Sequence, residues 1–123
     1  MSFNITDAEL EIMRILWRDN RAMTLAELCT ELMQIKDWNK STIQTLVGRL
    51  RGKSIIEPLD KYGAAQYVPL VTEDEYILAE GKAVLGRFGS AKTLALAMVR
   101  NGHLTDTDVE ELRDYFKMGG DGK

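Results

Sequence analysis

The sequence predicts a mainly helical fold that carries one small β-hairpin. Two observations do most of the work. A polar cap followed by a 3.6-residue apolar period recurs along the chain, whereas between residues 55 and 70 the period shortens to 2. A third observation divides the 123 residues: positions 1–70 hold nine basic and nine acidic groups, and positions 71–123 hold seven and ten. The net charge of -3 therefore hides a neutral first part and an acidic second part. A chain this long is one ordinary domain, or a compact domain with an appendage that cannot fold alone.

Thr6-Asp7-Ala8-Glu9 opens the first helix, because the hydroxyl can accept from first-turn amides while Glu9 reaches back to the cap. The apolar positions that follow, Leu10, Ile12, Met13, Ile15, Leu16 and Trp17, fill more than half the circumference. Such a helix must be covered from more than one side, by its own domain and by something C-terminal. Asp19-Asn20-Arg21 ends the pattern, and Thr24-Leu25-Ala26-Glu27 is a second capping box. Cys29 falls on the Leu25, Leu28, Leu32 stripe, so it is expected as a small buried apolar residue rather than a nucleophile or ligand. As the sole cysteine it excludes an internal disulfide and suits a reducing compartment.

Asn39 caps a third helix running to about Lys53. Ile43, Leu46, Val47 and Leu50 form its apolar stripe, which leaves Ser41, Gln44, Thr45 and Gly48 on the opposite face with Lys40, Arg49 and Arg51 on the flanks. From Asn39 to Ile56 there are four basic residues and no acidic one. A slim face that donates and accepts hydrogen bonds, bordered by cations, is what a helix needs to enter a DNA groove between two rows of phosphates. An ordinary amphipathic helix with a solvated polar face is the alternative. Gly48 and Gly52 each cost roughly 1 kcal/mol against alanine inside a helix. The former lies on the groove face, where a missing side chain allows closer approach; the latter marks the helix end.

Ile55-Ile56-Glu57 and Gln66-Tyr67-Val68-Pro69-Leu70 are expected as two short strands joined by the turn-rich tip Asp60 to Ala65. Three helices followed by a hairpin is the order of a winged helix-turn-helix, in which the second helix braces the third and the hairpin lies beside the groove. This assigns residues 1–71 to a DNA-binding domain. Thr72 and three acids then open a further helix to about Phe88, and Gly89-Ser90 breaks it. Residues 91–99 are apolar nearly all round, which the surface of a monomer would not tolerate. Thr105 caps a last helix with Val109, Leu112, Tyr115 and Phe116 on its stripe. Three short helices cannot build a good core alone, so residues 72–123 are expected to be a helical dimerisation domain, pairing across a two-fold axis through residues 72–118.

Enzymatic chemistry has no foothold. His103 is the lone histidine, set in an expected turn with no catalytic pattern around it, and the acidic clusters lie at helix N-termini rather than in the spacing of a calcium loop. No glycine-rich phosphate loop follows a strand, and nothing calls for a cofactor or metal. The longest apolar run, Leu94 to Val99, is too short to cross a bilayer, so a cytoplasmic protein with no membrane partner is expected.

Ile5-Thr6-Asp7-Ala8-Glu9-Leu10-Glu11-Ile12-Met13 with Leu16-Trp17, then Trp38, Ser41-Thr42-Ile43-Gln44-Thr45-Leu46 with Arg49-Leu50, then Tyr67 to Tyr76, and finally Glu110-Glu111-Leu112-Arg113 together resemble the penicillinase-repressor family over nearly the whole chain. The resemblance implies a dimeric winged-helix repressor of a palindromic operator. By position, Thr42, Thr45 and Arg49 would face the double-stranded DNA, with Lys61 of the wing near the backbone. The full candidate set is Lys40, Ser41, Thr42, Gln44, Thr45, Arg49, Arg51, Lys53 and Lys61. Copper-responsive members of the family carry a C-terminal pair of Cys-x-Cys motifs that this chain lacks, so thiolate copper sensing is not implied. Members cut by a regulatory protease are cleaved at an Asn-Phe bond; the matching place here is Ala97-Met98, which would require a protease of other preference. The family often has lysine at the position of Ser41 and a more basic wing, so a gentler salt dependence is expected. A winged-helix module that binds a protein instead of an operator is the alternative, favoured by the acidic balance and the sparsely charged wing.

Overall fold

The computed structural model of the chain describes residues 3–118, apart from residue 62 and the side chain of Lys61. Helix α1 spans Asp7–Asp19 and starts where the cap chemistry requires: the Glu9 amide donates to Thr6 Oγ1 at 3.2 Å, and the Thr6 amide donates to Glu9 Oε1 at 3.0 Å. It stops at Asn20, whose left-handed backbone (φ 50°) suits an asparagine. Strand β1, Met23–Thr24, leads into helix α2, Leu25–Ile35, and Thr24 serves both, because it also forms the reciprocal cap with Glu27. Helix α3 spans Lys40–Gly52, and its cap is Asn39, whose Oδ1 accepts from the Thr42 amide at 2.8 Å.

Strands β2, Ile56–Lys61, and β3, Ala64–Pro69, form the hairpin, and β1 adds to the free side of β3 to give the order β1-β3-β2, all antiparallel. Two expectations are corrected here. The hairpin reaches further than its two short strands, since Asp60 pairs with Ala65 and Lys61 with Ala64, and Gly63 supplies the turn with a positive φ of 80°. The third strand was not foreseen. Two residues carry no period, and the backbone pairing of Met23 with Tyr67 joins positions far apart in sequence.

The core is made where α1, α2 and α3 converge over the sheet. Ile12, Met13, Leu16, Leu28, Leu32, Ile43, Leu50 and Ile56 are essentially inaccessible, and Cys29 is buried among them as expected. Burying one such side chain contributes about 1.5–3 kcal/mol, so this cluster holds the three helices in fixed relation. Trp17 is covered from the C-terminal side: its indole Nε1 donates to Val71 O at 2.9 Å, and its ring lies 5.6 Å from that of Tyr76. Tyr76 belongs to helix α4, Glu73–Phe88, and the first compact unit extends to Glu80, taking in the opening turns of that helix.

The second unit begins at Gly81 and contains the rest of α4 with helices α5, Ala91–Arg100, and α6, Asp106–Lys117. Gly89 and Gly102, both with φ near 80–90°, make the two turns, while Ser90 and Thr105 accept from the amides of Thr93 and Asp108 as caps. No described residue of α4, α5 or α6 is buried. Leu112 is 50 % exposed, Tyr115 61 % and Phe116 73 %. No helix among the described residues is long and apolar enough to cross a membrane.

Candidate nucleic-acid interface

Helix α3 divides cleanly into two faces. Ile43, Leu46, Val47 and Leu50 are buried, which fixes the rotation of the helix on the core, and that rotation turns Ser41, Gln44, Thr45 and Gly48 outward. Lys40, Thr42, Arg49 and Arg51 are exposed along the same outer half. Among the described residues Lys40, Arg49 and Arg51 form no ion pair, in contrast to Arg18 and Arg21 elsewhere on the domain, which are held by Asp19, Glu31 and Glu27. Three uncompensated cations beside a polar ridge attract a polyanion, and the ridge supplies the amide, hydroxyl and guanidinium groups that base edges and phosphates accept or donate to. Thr45 donates its hydroxyl to Ser41 O at 3.0 Å, so its proton is engaged by the helix itself.

Two members of the sequence-derived set stand apart from this ridge. Lys53, the C-cap of α3, points inward: its Nζ donates to Glu9 Oε1 at 2.6 Å and to Asn4 O at 2.8 Å. Lys61 is the last residue of β2, opposite Ala64, and its side chain lies outside the described residues. Glu9, given only a capping role by the sequence, is completely buried and accepts from both Thr6 and Lys53. Burial pushes its carboxyl upward, but the hydrogen bond from Lys53, the Thr6 amide and the lysine charge together hold it below the ordinary glutamate range. Its other oxygen, Oε2, has no hydrogen-bond partner, which makes retention of Lys53 the more necessary. No local signal in the sequence marks this pair, because 44 positions separate its members.

Among the described residues no group of three or more His, Cys, Asp or Glu gathers to hold a metal ion. His103 lies in the turn between α5 and α6, exposed, its backbone amide donating to Met98 O at 2.8 Å.

The family model for the penicillinase repressor matches residues 5–118. The chain belongs to the penicillinase-repressor family. Members with which it shares most of its length include the penicillinase repressor of Bacillus licheniformis, 31 % identical over 110 residues that cover 88 % of this chain and 85 % of that one. The methicillin resistance regulatory protein MecI of Staphylococcus aureus is 30 % identical over 117 residues, 94 % of each chain. Two solved structures share the winged helix. The DNA-binding domain of the repressor BlaI in solution superposes with a TM-score of 0.54 at 31 % identity, covering 62 % of this chain and 94 % of that domain. The monomeric form of Bacillus licheniformis BlaI, solved in complex with the blaP half-operator, gives 0.53 at 32 % identity, covering 59 % and 88 %. The penicillinase-repressor family is one of transcriptional regulators, not of enzymes, and its winged-helix fold is the one found here.

Proposed function

We propose that this chain is a transcriptional repressor that binds a palindromic operator as a homodimer, with α3 of each protomer in a major groove. The observation that carries this is the outward ridge of α3: Ser41, Gln44, Thr45, Gly48 and Arg49 exposed on a helix whose rotation is fixed by four buried side chains. The relative solved with a half-operator supports it, because that fold brought a duplex to the same kind of domain. Gln44 and Arg49 are the side chains suited to base edges, and Lys40 and Arg51 to phosphates. Lys53 is left out of the DNA-facing set, since its ammonium is already held by Glu9 and Asn4. A two-fold dimer through residues 72–118 then addresses half-sites about one helical turn, or a multiple of it, apart.

Fluorescence anisotropy with duplexes recovered by in vitro selection tests the proposal. Three free cations per protomer predict that log Kobs falls with log[salt] at a slope between about -3 and -6 for the dimer. Arg49→Ala weakens binding to the selected site by about 1–3 kcal/mol while thermal unfolding is unchanged. Absence of salt-dependent duplex binding would overturn the operator assignment and favour a winged-helix module that meets a protein. Equal affinity of Arg49→Ala and parent would show that α3 is not the reader.

A further inference from the structure

The protein supplies no reason for the glycine at position 48. Its φ is not in the left-handed region, and a Cβ built there meets nothing within 4 Å, so neither backbone conformation nor crowding requires it. It lies well inside α3, where glycine is the least favoured residue apart from proline, and it is exposed. Gly63, Gly89 and Gly102 are different, each being explained by a positive φ in a turn. Gly52 ends α3, and Gly81 and Gly86 lie on α4, one of the helices proposed to meet a second copy.

We infer that position 48 is kept bare by the DNA: resting on the operator reading above, Gly48 admits the C5-methyl group of an operator thymine and sets specificity at that base pair. The surroundings select this group. Thr45, one turn back, has its hydroxyl proton engaged by Ser41 O at 3.0 Å. The middle of the ridge is therefore a bare backbone beside a threonine with no free donor, small and weakly polar. Thymine is the base that presents an apolar group on its major-groove edge, and a surface without donors suits it better than the acceptors of guanine or adenine. Gln44 and Arg49 flank the bare position, so their donors reach neighbouring bases only if the helix seats deeply there.

The experiment pairs the glycine with the methyl. Operator duplexes are selected with the parent protein, and every thymine of one half-site is replaced in turn by deoxyuridine, which lacks the methyl. Binding of each duplex to parent, Gly48→Ala and the control Gly52→Ala is then measured. Gly48→Ala is expected to raise Tm by about 4 °C, confirming an intact fold. It should also lose about tenfold or more in affinity for the selected site, and one deoxyuridine substitution should restore most of that loss for Gly48→Ala while weakening parent binding. Gly52→Ala should bind like the parent, which separates lost room at position 48 from general stiffening of the helix. Gly48→Ala binding as tightly as the parent, or losing affinity that no deoxyuridine position relieves, overturns the inference while leaving α3 as the reader. Failure of the parent to yield any selected site overturns the operator reading and the inference together.

Discussion

At the scale of single residues, the pair with the largest consequence for stability is Glu9 with Lys53. Glu9 and Lys53 tie the start of α1 to the end of α3 across a distance of 2.6 Å, with the carboxylate fully buried and the lysine side chain 27 % exposed. Removing one member of a buried pair leaves an uncompensated group, so Lys53→Met is expected to destabilise the domain by about 3 kcal/mol in urea unfolding. The same variant separates the two roles open to Lys53. A lysine on a phosphate lowers the salt slope of DNA binding by about 1 when it is removed, whereas a lysine inside the domain leaves the slope of the folded protein unchanged. The second outcome is predicted. Because the folded carboxyl titrates below the ordinary glutamate range, its contribution to stability is complete above that range and fades as the pH falls through it. Glu9→Gln should therefore flatten part of the parent's loss of stability as the pH falls through and below the ordinary glutamate range, and an unchanged pH profile would remove Glu9 from the account.

At the scale of elements, caps and helices were open to sequence reasoning because their causes are local. Thr6 with Glu9, Thr24 with Glu27, and Asn39 each lie within three residues of the amides they serve. Replacing Thr24 by alanine is expected to cost about 1 kcal/mol, read from the unfolding midpoint, because α2 loses its side-chain cap while the backbone pairing with Gln66 of β3 is kept. The wing was harder. Asp60, Lys61 and the alanines after Gly63 have the composition of a loop, yet they pair in register because a hairpin ladder propagates through backbone groups that composition does not report. The outward face of α3 was legible, since four apolar residues at helical spacing fix its rotation wherever a core exists. The inward turn of Lys53 was not, because a lysine at a helix end within a basic run has the same local pattern whether solvated or paired. Only the fold shows that Glu9 comes within reach.

At the scale of the whole molecule, the exposed apolar surface of α4, α5 and α6 is the fact that most needs a partner. The second copy proposed above would cover it and would also supply the second recognition helix that a palindrome requires. Sedimentation at micromolar concentration is expected to give twice the chain mass of 13.9 kDa, and the double variant Leu112→Asp/Phe116→Asp the mass of one chain. That variant should lose affinity for a full palindrome while a single half-site is bound about as well as by the parent. A parent that sediments as a monomer would contradict the dimer. The uneven charge agrees with this division of labour, because the acidic excess lies after residue 71, while Lys40, Arg49 and Arg51 of α3 form no ion pair among the described residues. The central claim, that the outer face of α3 enters the groove, is tested most directly by amide chemical shifts of the isotope-labelled protein titrated with its selected duplex. The largest changes are predicted at Ser41, Gln44, Thr45, Gly48 and Arg49, with the amides of Ile43, Leu46 and Leu50 shifting less; changes concentrated on other elements while these five stay in place would contradict it.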